Sequence, residues 1–331
     1  MEFSKDIENK LAELEKKYTS IGQDLGAYMD GLLYANPLHY WEYTKVDTLL
    51  SLQEPRTDFP DELIFIIYHQ ITELYFRLAL HEIEQIAYNG KVLSDSGQDM
   101  GWKEQIDPDF FADRLRRINQ YFQALTKSFD VMTQGMDKEQ FVKFRMSLLP
   151  ASGFQSAQYR LIEMGCADLI NITQKDFREL LMDAPLSEKL EHLYWKRGAT
   201  ELESGKKTLT LKNFEKKYMP RFLAFAQEYE QRNIWKKYTE VVAEGRGTQA
   251  LWEQMRWLDV HVNINWPLVH YKTAARYLSQ EKGEVPATGG TNWQQYLPPR
   301  FQKRIFFPEL WSEQEQNEWG KAWVESVLRN E

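Results

Sequence analysis

Residues 61 to 89 constrain the fold more than any other stretch of the chain. Leu63 to Ile67 is wholly apolar, and apolar residues continue at Ile71, Leu74, Leu78, Leu80 and Ile83. That run is too long for a strand and too apolar all round for a surface helix, so it predicts a helix lying deep inside. Its polar residues His69, Glu73 and Arg77 recur every four positions and form one narrow stripe. A chain organised around such a helix must supply other helices to cover it.

The remaining patterning supplies them. Phe3, Ile7, Leu11 and Leu14 stand at three- and four-residue spacing on an otherwise charged segment, 3 to 35, predicting a helix whose single apolar stripe packs on a neighbour, here another subunit. Pro37, Pro55 and Pro60 bracket a short helix with extended flanks. Residues 107 to 148 read as amphipathic helix broken near Gly135. Segments 186 to 204, 211 to 240 and 247 to 281 read as helical too. No strand meander, βαβ alternation or internal repeat is visible. The expectation is an all-α fold in one domain, 1–331, with an inserted helical pair around 170 to 240.

Composition removes several classes of function. A net charge of −8 argues against nucleic acid, whose phosphates demand clustered Lys and Arg. The single cysteine, Cys166, cannot form an intrachain disulfide or a thiolate metal site. The N-terminal residues lack a signal-peptide apolar stretch, and no run approaches the ~20 apolar residues of a membrane span. These readings predict a cytoplasmic protein with no membrane association. Nucleotide loops, a Gly-x-Ser-x-Gly elbow and His-Glu-x-x-His are all absent.

Six histidines leave little room for metal chemistry. His261 and His270 are nine residues apart, about 180° around a helix, so they cannot share a metal. His270, in Trp266-Pro267-Leu268-Val269-His270-Tyr271, is a lone histidine on an apolar helix. One imidazole suits a porphyrin iron better than zinc, because the porphyrin brings four nitrogens of its own.

Other residues admit two readings each. His69 sits one turn after Phe65; it is either a core histidine satisfied by a backbone carbonyl or a pocket residue bonding a ligand N–H. Arg145 sits one turn after Phe141; it is either a surface arginine or a bidentate clamp on a carboxylate. Ser152-Gly153 is a helix-capping turn or part of a site. Thr288-Gly289-Gly290-Thr291 is a plain loop or one that closes over a ligand.

Taken in order along the chain, these segments resemble the tryptophan 2,3-dioxygenase family. Phe65-Ile66-Ile67-Tyr68-His69-Gln70 with Thr72-Glu73-Leu74, Phe144-Arg145 followed by Pro150 to Ser156 and Gln158-Tyr159-Arg160, His270, Thr288-Gly289-Gly290, and Phe306 to Trp311 carry the resemblance. It implies an all-α, haem b protein, a homotetramer built as a dimer of dimers, that inserts both atoms of O₂ into the pyrrole ring of L-tryptophan to give N-formylkynurenine. It also implies roles. His270 matches the axial iron ligand and His69 the histidine bonding the indole N–H. Phe65 and Phe141 match ring-packing residues, and Arg145 matches the carboxylate clamp. Thr288 matches the loop residue at the amino-acid head group, and Ser152 a residue near a haem propionate. Tyr40 and Tyr43 match residues lent by a neighbouring subunit.

The chain departs from the family pattern in Ala287 to Asn292, in an insertion at Lys282 to Pro286, and at Thr44 in place of a leucine. These changes bear on loop closure and substrate choice. They leave two further expectations standing: a haem oxygenase for another aromatic amino acid or indole derivative, and a non-catalytic haem or tryptophan sensor.

Overall fold

The computed structural model describes residues 3–35, 38–151, 153–200, 206–280, 283–284 and 303–320. Contacts divide the chain into two units, 1–54 and 55–331. The fold is all-α, as the periodicity predicts. The first unit holds helices α1 (Lys5–Ser20), α2 (Leu25–Tyr34), α3 (Tyr40–Thr44) and α4 (Val46–Leu50). The single helix expected over 3–35 is two. Gly22 takes φ +70° just after α1, and Asp24 then caps α2 by accepting from Gly26 N and Ala27 N.

In the second unit the frame is α5 (Asp61–Ala87), α6 (Pro108–Ser128), α9 (Ala157–Cys166) and α13 (Gln249–Val260), with α14 (Trp266–Leu278) continuing from α13. Side-chain caps punctuate it: Asp107 accepts from Phe110 N at 2.8 Å, with Pro108 in the first turn, and Ser156 and Thr248 cap α9 and α13. Each such cap stabilises its helix by about 1 kcal/mol. Short α7 (Asp130–Thr133) and α8 (Lys138–Phe144) follow α6, where the sequence predicts a break near Gly135. Helices α10 (Leu186–Glu191), α11 (Leu209–Tyr229) and α12 (Ile234–Ala243) occupy the stretch expected to be an inserted pair, and α15 (Glu313–Asn317) follows a C-terminal segment.

Three features differ from expectation. Two short antiparallel ribbons are present, β1 (Lys91–Leu93) with β2 (Asp99–Trp102) and β3 (Ser279–Gln280) with β4 (Gly283–Glu284). Residues 261–265 form a π-turn between α13 and α14, described below. And α5 is not enclosed on all sides. Tyr68, Phe76, Ala79, Ile83 and Ile86 are buried, but Leu63, Ile67, Ile71, Leu74 and Leu78 form an exposed stripe. By length and composition α5 is also the one described helix apolar enough to cross a membrane, a test that core helices pass as well. Its inner face packs on α6 and α9, and its buried Glu82 pairs with Arg114 at 3.0 Å.

The core is aromatic where α5, α6, α9 and α14 meet. Phe76 lies 6.0 Å from Phe122, 5.4 Å from Tyr159 and 5.8 Å from Trp266, ring to ring. Trp266 is thereby fixed one helical turn before His270.

Candidate active site

α5 carries Phe65 and His69 one turn apart, with ring centroids 4.1 Å apart. His69 Nδ1 lies 2.7 Å from the Phe65 carbonyl oxygen. A carbonyl can only accept, so Nδ1 holds the proton and Nε2 keeps its lone pair. The ring is crowded by protein atoms, and this desolvation lowers its pKa from the usual histidine value. Its edge is nonetheless solvent-accessible. The accessible area decides what can reach the ring, so His69 is open to solvent rather than a core residue. The carbonyl partner of the bland reading is present; the burial is not.

α14 carries His270, held in the same way. Its Nδ1 lies 3.2 Å from the Trp266 carbonyl oxygen, which leaves Nε2 unprotonated. Phe129 and Trp266 meet the ring edge-on at 4.7 and 4.4 Å. Burial pushes its pKa down to about 4, and His69 adds a further electrostatic lowering. The two imidazoles therefore stand close enough to sense one another, both neutral near pH 7.

Two aromatic arcs join them. One runs from His69 to Tyr68 (6.3 Å), Phe129 (5.4 Å) and His270. The other runs from Phe65 to Phe141 (6.0 Å) and on to Tyr277 of α14 (4.8 Å). Tyr277 is pinned by hydrogen bonds from its hydroxyl to the Met132 and Met136 carbonyls. α8 thus bridges α5 and α14. Arg145 opens a 3₁₀ turn directly after α8, one turn beyond Phe141. It is buried, not a surface arginine, and desolvation lowers its pKa.

The structure brings Phe65, His69, Phe141 and His270 together, with Arg145 beside them on the continuation of α8. Tyr40 and Tyr43 lie on α3 in the first unit and are exposed. Ser152 and Thr288 lie outside the described residues. Sequence reasoning missed Tyr68, Phe129 and Tyr277. Tyr68 was signalled by its place beside His69; Phe129 and Tyr277 come from distant segments with no local signal.

Among the described residues, no group of three or more His, Cys, Asp or Glu could hold a metal ion. A bare ion needs such a set. One neutral imidazole with a free Nε2, flanked by the aromatic rings of Phe129 and Trp266, instead fits iron that arrives inside a macrocycle. A cavity of about 190 Å³ lies elsewhere, lined by residues such as Asp168, Tyr229 and Lys236. Neither His69 nor His270 lines it.

These features define a class: all-α proteins with two neutral imidazoles, each anchored to a backbone carbonyl, on helices joined by aromatic side chains. The comparisons with known proteins narrow the class. A family model described as tryptophan 2,3-dioxygenase matches residues 32–256. The chain is 30% identical over 280 residues to the tryptophan 2,3-dioxygenase of Ruegeria pomeroyi, covering 84% of this chain and 92% of that protein. It is 28% identical to the enzyme of that name from Bacillus thuringiensis subsp. konkukian (82% and 90% covered) and 29% identical to that from a Bradyrhizobium species (83% and 91%). The chain belongs to the tryptophan 2,3-dioxygenase family.

Proposed function

We propose that this protein is a haem-dependent dioxygenase that opens the pyrrole ring of L-tryptophan with O₂ to give N-formylkynurenine. The observation that carries the reading is the pair of imidazoles, His69 and His270, each with Nδ1 tied to a backbone carbonyl and Nε2 free, on helices joined through Tyr68 and Phe129.

His270 would hold the haem b iron through Nε2, and Trp266 O supplies the acceptor that fixes its ring. Bound haem would supply the activation of O₂ that no side chain provides. The other residues bind and orient. His69 Nε2 accepts the indole N–H, a role that needs the neutral tautomer present here. Phe65 and Phe141 pack on the indole ring. Arg145 binds the carboxylate, where a planar guanidinium gives two parallel bonds. Holding the indole in one pose converts an encounter into a positioned reaction. By resemblance, Thr288 closes on the head group, Ser152 lies near a haem propionate, and Tyr40 and Tyr43 come from a neighbouring subunit of a cytoplasmic homotetramer.

The test is product mass. Ferrous, haem-loaded protein given L-tryptophan and O₂ should release a product with two added oxygens and an opened ring. One added oxygen, or turnover only of another indole or aromatic amino acid, would favour the second reading suggested by the Ala287–Asn292 sequence. Ligand binding without O₂ consumption would leave a sensor.

A further inference from the structure

Between α13 and α14 the helix does not run on as a normal α-helix. Residues His261–Asn265 form a π-turn, in which Trp266 N bonds to His261 O, five residues back. The next bond of that ladder would run from residue 267 to Val262 O. Residue 267 is proline and has no N–H. Val262 O is buried and would be left without a donor, which destabilises the turn. Two side chains replace the missing donor: Tyr159 OH at 3.1 Å and Arg304 Nη2 at 3.1 Å.

Arg304 comes from the C-terminal segment, the stretch containing Phe306 to Trp311 for which the site has no direct use. Its guanidinium is buried and fully engaged. Nη2 also bonds Tyr159 OH at 2.8 Å, Nη1 bonds Glu163 at 2.5 Å and Tyr194 OH, and Nε bonds Asn263 Oδ1 inside the π-turn. Asp259, on the last turn of α13, grips the same segment from the other side. It accepts from Phe306 N at 2.9 Å, Phe307 N at 3.1 Å, Trp311 Nε1 at 3.0 Å and Asn263 Nδ2 at 2.6 Å. Asn263 therefore bridges the two charges. The segment is tied to the π-turn at both ends.

The geometric consequence falls on His270. A π-turn absorbs one residue without adding its share of helical rotation. Relaxing it to α-helix would turn everything after it by about 100°. His270 lies on the second turn of α14, so its ring would leave its place beside Phe129 and on the side of α14 that faces α5.

We infer that Arg304 and Asp259 are positioning residues: they lock the π-turn that sets the direction of His270 Nε2. This rests on the reading of His270 as the haem ligand. Arg304 supplies the donor that Pro267 lacks, and Asp259 holds Arg304's segment in place. None of these hydrogen bonds goes to His69 or His270.

The experiment uses full-length protein loaded with haem. Resonance Raman of the ferrous form reads the iron–histidine stretch, and transfer of haem to excess apomyoglobin reads retention. Far-UV circular dichroism checks the fold. Arg304→Lys keeps a charge against Glu163 but loses the fork to Val262 O; Asp259→Asn loses acceptor capacity. Both should broaden or shift the iron–histidine band and speed haem loss by about tenfold or more, the range for outer-shell changes at metal sites. Adding Pro267→Ala to Arg304→Lys restores a backbone donor and should recover much of the wild-type band. Arg304→Met is the harsher variant; its failure to fold is bypassed by the other two. Wild-type bands and retention in both Arg304→Lys and Asp259→Asn overturn the inference, as does a Pro267→Ala addition with no effect. His270→Ala runs alongside: a wild-type band there defeats the haem-ligand reading itself, a distinct failure.

Discussion

Phe129 stands edge-on to His270, with ring centroids 4.7 Å apart and planes at 70°. With Trp266 at 4.4 Å and its carbonyl on Nδ1, the imidazole has one orientation available. His69 on α5 is oriented by the same device, a carbonyl four residues back. The two rings are equivalent in tautomer and charge, so their roles differ only through what each faces. That separation is what substitution should expose.

His270→Ala removes the proposed iron ligand and should abolish a stable Soret band in protein that remains folded. His69→Ala should keep the band and lower kcat/KM for L-tryptophan by about five- to tenfold, the value of one neutral hydrogen bond of about 1 kcal/mol. Absorbance spectra and steady-state rates on both variants check the pair. Haem lost from the His69 variant and kept by the His270 variant would reverse the assignment.

Arg145→Ala should raise KM for L-tryptophan by about 10- to 100-fold, because a charge-assisted bond contributes roughly 1.5–3 kcal/mol. Binding of indole, which has no carboxylate, should change little. Arg145→Lys should recover only part of the loss, since an ammonium cannot make the paired contact. Titrations with both ligands check this.

How far the sequence revealed these residues depends on whether their partners are local. Phe65 with His69, and Phe141 with Arg145, are visible because i and i+4 share a helical face, and the structure keeps both pairings. The all-α class follows from the periodicity of α5 and its neighbours. The exposed stripe on α5 was misread, because hydropathy records that a face is apolar and not what covers it. The π-turn was invisible: it arises from Pro267 meeting Tyr159 and Arg304, residues more than thirty positions away on either side. Phe129 and Tyr277 enter the site for the same non-local reason.

The stripe Leu63, Ile67, Ile71, Leu74 and Leu78 is apolar, continuous and exposed. Surfaces of that kind mark contact sites. A homotetramer of the kind proposed above would cover it with another subunit. Leu74→Glu should then lower the mass measured by light scattering from four times 39.3 kDa toward smaller species, without loss of helical signal. An unchanged mass would place the interface elsewhere.

Phe122 is fully buried between Phe76 and Trp266, at 6.0 and 6.4 Å, and supports the turn of helix before His270. Phe122→Ala should destabilise the fold by about 3–5 kcal/mol through lost burial and the cavity left behind. Chemical denaturation of the haem-free protein reads this independently of the site.

Acid stability offers a last check, through a histidine outside the site. His261 is buried against Gln123 at 3.0 Å and Asn265 at 3.1 Å, and burial pushes its pKa down to about 4. The unfolded chain binds this proton from about pH 6.5 downward while the folded chain resists it. Folded stability must therefore fall as pH drops from about 6.5 to about 4, by roughly 3 kcal/mol for this group alone at about 1.4 kcal/mol per pH unit. Asp259 acts in the opposite sense. Its carboxyl is raised to about 6 by burial, so its contribution is lost as pH rises through 6 and recovered on acidification. In the haem-free protein His261 and the half-buried His270 outweigh one aspartate, and the net slope from these three groups is a loss toward acid. His261→Gln should keep the amide contacts and make urea midpoints fall less steeply between pH 6.5 and 4 than in the unaltered protein. Parallel curves would mean that His261 takes up its proton in the folded state as readily as in the unfolded one.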